Sequence, residues 1–413
     1  MTRRVLLIAY HFPPLAGSSG IQRTLGFARH LQKYGWEPII LTAHPRAYPG
    51  IDENADWNLP RGLIVERAQA FDAARHLSLF GRYPQRFALP DRWASWRFDG
   101  TYRGMKLIRR LQPQAIWSTY PIATAHLIGA ALARRSGLPW IADFRDPMAH
   151  EGYPSDARTW QSYKQVEEQI FTRARIASFT TPGALRLYRE RYALSDERLA
   201  LIENGFDEES FNGITSAPLD SNGDLILLHS GIVYPEWRNP LTLFQALRRL
   251  IDAGCPGIER LKLRFRAAVH DDFIMQCASK YDVMDRIQLL PAISYRDALR
   301  EMMSAHALLV LQSNGCNDQI PAKSYEYLRA ARPLLVLADP AGNTGALFIQ
   351  TAGAHVAALE NAEAVAVALK ALVANLQQEN PVAPDAALAS RYTRQAQAEQ
   401  LAQLLDRVTL RRT

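Results

Sequence analysis

Only three cysteines occur in 413 residues, Cys255, Cys277 and Cys316, and their spacing fits neither a metal centre nor a disulfide framework. That usage suits a reducing cytoplasm. Clusters of His with Asp or Glu at zinc-ligand spacing are also missing, and so is any Asp-x-Asp pair of the kind that holds Mg²⁺ beside a diphosphate. No apolar run reaches the roughly 18 residues that a membrane-spanning helix needs. The apolar run near the N-terminus, Val5-Leu6-Leu7-Ile8-Ala9, covers five residues and leads into Tyr10-His11-Phe12-Pro13-Pro14. It reads as a first β-strand, not a signal peptide. The fingerprint G-x-G-x-x-G is absent too, which argues against NAD. Short repeats and low-complexity tracts do not occur.

What is present is a globular composition, 48% hydrophobic and 22% charged, with an uneven distribution of charge. Residues 1–200 hold 28 Lys and Arg against 17 Asp and Glu, whereas residues 201–413 hold 20 against 24. Arg75, Arg82, Arg86, Arg92, Arg97, Arg103, Arg109 and Arg110 interleave with Phe80, Tyr83, Phe87, Trp93, Trp96, Phe98 and Tyr102. This mixture suits an anionic membrane surface or a lipid-phosphate acceptor. It also suits single-stranded nucleic acid, or a solvated basic face over core aromatics.

The length predicts two domains of about 200 residues. Apolar strands at Val5–Ala9, Pro38–Leu41, Ala115–Ser118, Trp140–Ala142 and Ala177–Phe179 alternate with amphipathic helices at Ile21–Tyr34, Trp93–Leu111, Ala123–Ser136, Thr159–Thr172 and Gly183–Tyr192. The pattern restarts with strands at Leu225–Leu228, Leu261–Arg266, Leu308–Leu311 and Leu334–Leu337, and helices at Pro240–Ala253, Tyr295–Ser304 and Pro321–Ala330. A helix at Thr393–Arg411 ends the chain. Strand–helix alternation predicts parallel sheets covered on both faces, an α/β fold with two doubly wound Rossmann-like domains. Ile214–Gly223, rich in Ser, Pro, Asn and Gly, has linker composition. Ligand-bearing loops are expected after strands, in a cleft between the domains.

The richest such segment is Asn317-Asp318-Gln319-Ile320-Pro321-Ala322-Lys323-Ser324-Tyr325-Glu326. Pro321 is placed in the first helical turn, where a missing N–H costs nothing. A helix N-terminus beside Lys323 attracts phosphate, and Glu326 one turn on can accept from sugar hydroxyls. An ordinary amphipathic helix with a Lys323/Glu326 surface pair is the plain alternative. The spacing of Asp318 and Glu326 resembles the carboxylate-x7-Glu signature of retaining GT-B glycosyltransferases of family 4, although the family's first acid is usually Glu. The loop Gly17-Ser18-Ser19-Gly20 before the first helix resembles that family's glycine-containing loop beside donor diphosphate and acceptor. Asp143-Phe144-Arg145-Asp146 ends an apolar strand, where three charges are expensive to bury without partners. It is similar to a subgroup with an Asp-x-Arg-Asp turn where many members carry His. His126, on the helix that follows Ser118-Thr119-Tyr120-Pro121, reads as a packed helix residue. His229-Ser230-Gly231 and Arg238-Asn239-Pro240 lie where the family neutralises the leaving diphosphate. Glu203-Asn204-Gly205-Phe206-Asp207 resembles its interdomain turn.

The resemblance implies a GT-B fold with an acceptor domain over 1–205, a donor domain over 206–389 and a final helix within 390–413 returning to the first domain. It implies transfer of a sugar from a nucleotide-diphosphate donor, with Asp143, Arg145, Asp146 and Asp318 at the reaction. Arg238, Lys323, Glu326, Gly231 and Asn343 would hold the donor, and Gly17, Ser18, Ser19 and Gly20 phosphate or acceptor. No metal or other cofactor is expected. The acceptor is expected to be a glycan or a polyprenyl-diphosphate-linked glycan of surface-polysaccharide assembly. That places a cytoplasmic enzyme in peripheral contact with the inner face of the plasma membrane, with no nucleic acid partner. A non-hydrolysing nucleotide-sugar epimerase of the same fold and a non-catalytic binder of anionic lipid or nucleic acid are the alternatives.

Overall fold

The computed structural model describes residues 3–16, 20–52, 57–78, 82–150, 152–215 and 223–410. The chain divides into two compact units, residues 1–204 with 394–413, and residues 205–393.

The first unit is built on seven strands, β1 (Arg3–Ile8), β2 (Trp36–Ala43), β3 (Ile64–Ala68), β4 (Ala115–Thr119), β5 (Trp140–Phe144), β6 (Ile176–Phe179) and β7 (Leu199–Leu201). All pair in parallel in the order β3-β2-β1-β4-β5-β6-β7. Alternate residues of each strand go to opposite faces, and both faces are filled. Leu6 and Ile8 join one core with Ile39, Leu41, Ile128 and Leu132. Val5 and Leu7 join another with Ile40, Trp117, Phe27, Leu401 and Leu405. That second face is covered by helices Gly20–His30 and Arg394–Leu410. The last helix is also pinned by Asp406, which accepts from Arg3 and from the indole N–H of Trp36 at 2.8 Å.

The second unit repeats the plan with six parallel strands, β8 (Leu225–Ser230), β9 (Leu261–Arg266), β10 (Ile287–Leu290), β11 (Ala307–Leu311), β12 (Leu334–Leu337) and β13 (Ala354–Ala357), in the order β10-β9-β8-β11-β12-β13. Leu227, Leu263, Leu309 and Leu335 fill one face, and Leu228, Leu308, Val310 and Val336 the other.

Three expectations need correction. The units divide between Asn204 and Gly205, and the stretch expected to be a linker starts inside the second core, where Phe211 and Ile214 are buried; residues 216–222 of it lie outside the described residues. Pro321 stands before its helix, which begins at Lys323; the Pro321 carbonyl accepts the Ser324 N–H at 2.9 Å, so a tight turn precedes the helix. Strands β3, β7, β10 and β13 were not expected, and each is the edge of its sheet. Among the described residues, no helix is long and apolar enough to cross a membrane.

Candidate functional site

In a doubly wound sheet, ligands gather outside the carboxyl ends of the strands where the strand order reverses. Those points lie between β1 and β4 and between β8 and β11. The residues singled out above collect at both.

In the second unit, β8 runs out through His229 and Ser230 into Gly231, whose φ of 116° disfavours any side chain. Lys323, half-buried at the start of its helix, donates to the Ser230 carbonyl and lies 3.3 Å from Nε2 of His229. The Nδ1 of buried His229 sits 2.9 Å from the Leu309 carbonyl, which can only accept. His229 is therefore the neutral Nδ1–H tautomer, and Nε2 turns its lone pair towards the ammonium. Arg238 donates to the Ile232 carbonyl at 2.7 Å, with its guanidinium 5.3 Å from the Tyr234 ring centre. Tyr327 accepts the Ser230 N–H at 2.9 Å.

The electrostatics of this cluster favour an anion. Burial, then the Arg238 charge, holds the Lys323 ammonium well below the usual lysine range, with Glu326 opposing. Burial lowers Arg238, and burial with Lys323 and Arg238 lowers His229 far enough to keep it neutral. Two cations disfavoured by their surroundings gain from any negative charge placed between them. Glu326 is half-buried one turn along and accepts from the Tyr295 hydroxyl at 2.8 Å. Gly231→Ala tests this construction, because a Cβ there falls 2.7 Å from the Lys323 Nζ and the φ is strained. The variant is expected to fold yet lose at least tenfold in nucleotide affinity; unchanged affinity in a titration would separate Lys323 from the ligand.

Asp318 stands exposed on the loop after β11, and that loop is tied from two sides. Gln312 donates to the carbonyls of Cys316 and Gln319 and accepts from Thr344. Asn343, offered above as a donor contact, directs its backbone and side-chain N–H to the Asn317 carbonyl, at 2.9 and 2.8 Å. The amide of Asn343 thus holds the loop in place.

In the first unit, Gly20, Asp143, Arg145 and Asp146 come together at the ends of β1, β4, β5 and β6, while Gly17, Ser18 and Ser19 lie outside the described residues. A Cβ on Gly20 would fall 2.6 Å from Arg145 Nη1 and would also strike His11, so a side chain there would displace both. Asp143 is fully buried and its acceptor capacity is taken up. Arg23 grips both oxygens at 2.9 and 2.7 Å, and the hydroxyls of Thr119 and Ser178 add 2.8 and 2.7 Å. Burial alone would raise the Asp143 pKa, but Arg23 and the two hydroxyls more than offset it and hold the carboxyl below its ordinary value. Arg23 further donates to the Ile202 and Glu203 carbonyls, so this ion pair fastens the first helix to the sheet and to the end of the unit. The partner of Asp143 in this ion pair is Arg23, a residue the sequence reading missed. Its signal was a lone charge among Ile21, Leu25 and Ala28, all buried.

Arg145 and Asp146 complete the group. The Nε of Arg145 is buried with no hydrogen-bond partner among the described residues. Burial raises the Asp146 carboxyl against the opposing charges of Arg145, His150 and Arg23. Burial and Arg145 push His11 down to about 3, so it is neutral. His126 belongs to the core: its Nδ1 lies 2.8 Å from Ser118 Oγ, and its ring packs 5.4 Å from that of Phe144.

Residues 19–205 match the family model described as glycosyl transferase 4-like domain. No curated protein matches the chain by sequence. Among solved structures, sucrose-phosphate synthase from Thermosynechococcus elongatus is similar over 99% of this chain and 96% of its own, with 16% identity and a TM-score of 0.62. Anabaena HepE, solved in complex with UDP, aligns over 98% of this chain and 100% of its own, with 12% identity and a TM-score of 0.64. The trehalose 6-phosphate synthase of Burkholderia multivorans covers 100% of both chains at 15% identity and a TM-score of 0.61. Residues 19–205 of the first unit thus match a glycosyl transferase 4-like domain, and the chain has the GT-B fold over its length.

Proposed function

We propose that this protein is a retaining glycosyltransferase that moves a sugar from a nucleotide-diphosphate donor to a glycan or lipid-linked glycan in surface-polysaccharide assembly. The observation that carries the reading is the cation cluster of Lys323 and Arg238 around side-chain-free Gly231, at the strand-order reversal of the second unit. A departing diphosphate develops negative charge, and donors fixed in advance where that charge grows are the strongest catalytic device available to such a site. Anabaena HepE has been solved with UDP, with UDP and glucose, and with UDP-glucose, which supports a nucleotide sugar as donor.

In this reading the acceptor hydroxyl oxygen bonds to the sugar's anomeric carbon on the face from which the diphosphate oxygen leaves. The hydroxyl proton passes to a donor phosphate oxygen. Lys323 and Arg238 take the role that Mg²⁺ plays elsewhere, so no metal is required. Glu326 accepts from the ribose hydroxyls, Asp318 lies by the donor sugar, and Arg145 and Asp146 orient the acceptor. The cationic excess of residues 1–200 supports an acceptor carried on an anionic lipid at the inner membrane face.

The test is thermal-shift binding of UDP, GDP, ADP and CMP without added metal, on wild type and Glu326→Ala. A shift selective for one nucleoside diphosphate, weakened at least tenfold in the variant, is expected. Equal binding by both proteins would remove Glu326 from the ribose, and a chelator that abolished transfer would overturn metal independence.

A further inference from the structure

We propose that the outer face of helices Trp96–Leu111 and Thr124–Ser136 is a docking surface for an anionic phospholipid bilayer. It deepens the lipid-linked acceptor reading, which supplies its purpose, while its own evidence is independent of the donor site. The two helices are locked together through Gly100 and Gly104. A Cβ at either glycine would lie 2.6 Å from Ile128 or Leu132, so the two helices pack closely along this side. Phe98 and Tyr102, one helical turn apart, stand out at 68% and 59% exposure. Single exposed aromatics need no explanation, but these two border a groove of about 920 Å³ that is lined by cations.

Arg97, Lys106, Arg109, Arg134 and Arg135 line that groove, and no carboxylate does. Among the described residues these five form no salt bridge, unlike Arg103 on the same helix, which is bound by Glu66 and Asp99. The sequence explains why: no Asp or Glu occurs between Asp99 and Asp143, while six Lys and Arg do. Arg97 lies 4.8 Å from the Phe98 ring centre, and Lys106 lies 4.5 Å from that of Tyr102, so each exposed aromatic carries its own cation. Aromatic rings at headgroup depth with unneutralised cations beside them are complementary to an anionic membrane surface. A nucleic acid strand would gain from the same charges, but it needs bases stacked along a track. Here the aromatics are two, side by side on a rigid helix face.

The experiment is flotation of the full chain with vesicles of phosphatidylglycerol and phosphatidylcholine, and with phosphatidylcholine alone. Each basic residue near such a surface raises partitioning about fivefold. Arg134→Gln with Arg135→Gln is therefore expected to lower binding to the anionic vesicles about 25-fold, and Phe98→Ser with Tyr102→Ser to lower it further. Nucleotide thermal shifts in the same variants should stay at the wild-type value, which confirms folding. Equal wild-type binding to neutral and anionic vesicles, or equal binding by variants and wild type, overturns the proposal. So does tighter binding to a single-stranded oligonucleotide than to the vesicles, or a dimer in sedimentation that the same substitutions dissociate. Vesicle binding without any nucleotide binding would leave this surface standing and overturn the donor reading.

Discussion

Lys323→Ala is expected to lower the rate of sugar transfer by about 10²–10³-fold, the usual loss when one preorganised donor to a developing negative charge is removed. The same substitution is expected to leave the second unit as stable as the wild type, or slightly more stable. Its ammonium is held by neutral partners, the Ser230 carbonyl and His229, and stands near the Arg238 charge. A cation desolvated in this way costs folding energy, so its removal relieves that cost. Steady-state kinetics and thermal unfolding, measured on one preparation, separate the two effects. Fully active Lys323→Ala would remove the cation cluster from the chemistry; an inactive but strongly destabilised variant would make Lys323 a structural residue.

The second large effect is expected in the first unit. Asp143→Asn preserves shape but leaves the Arg23 guanidinium buried without a counter-charge. Breaking one partner of a buried pair costs about 3–5 kcal/mol. At about 2–4 °C per kcal/mol for a unit of this size, the first unit's unfolding transition falls by roughly 6–20 °C. The pH dependence carries a sign. Asp143 titrates below its ordinary value when folded. Its contribution is therefore complete above the unfolded carboxyl's pKa, about 3.9, and is lost as pH falls through the folded value. Wild type should lose stability below about pH 4, and the Asn variant should lose less over the same interval. Scanning calorimetry across that range decides the point, and a variant within about 1 kcal/mol of wild type at neutral pH would show that the pair stabilises little.

How far the sequence carried this picture depends on whether the signal was local. Interior strands such as Val5–Ala9, Leu308–Leu311 and Leu334–Leu337 were legible because a parallel strand covered on both faces must be apolar throughout. The four strands that escaped notice, β3, β7, β10 and β13, are the four sheet edges. They have a neighbour on one side only and are mostly half-buried, so Ile64-Val65-Glu66-Arg67-Ala68 and Ala354-His355-Val356-Ala357 carry polar residues at positions where a central strand cannot. Helix Ala362–Leu376 escaped for another reason: its Val365, Val367 and Leu369 alternate with alanines at the period of a strand. Lys323, Glu326, Arg238 and Gly231 were visible because each follows a strand or opens a helix. Arg23 was not, since nothing in its own helix shows which carboxylate it meets.

Taken alone, the sequence determined the alternation of strands and helices, the two-unit α/β plan and the cationic character of the first half, because apolar periodicity and charge are properties of neighbouring residues. Only the tertiary structure decided which polar groups meet. Arg23 reaches Asp143 across 120 positions, and Lys323 reaches His229 across 94. Both pairings exist because reversal of strand order in a parallel sheet brings the ends of distant strands side by side. There, buried charges must find each other or remain unpaired.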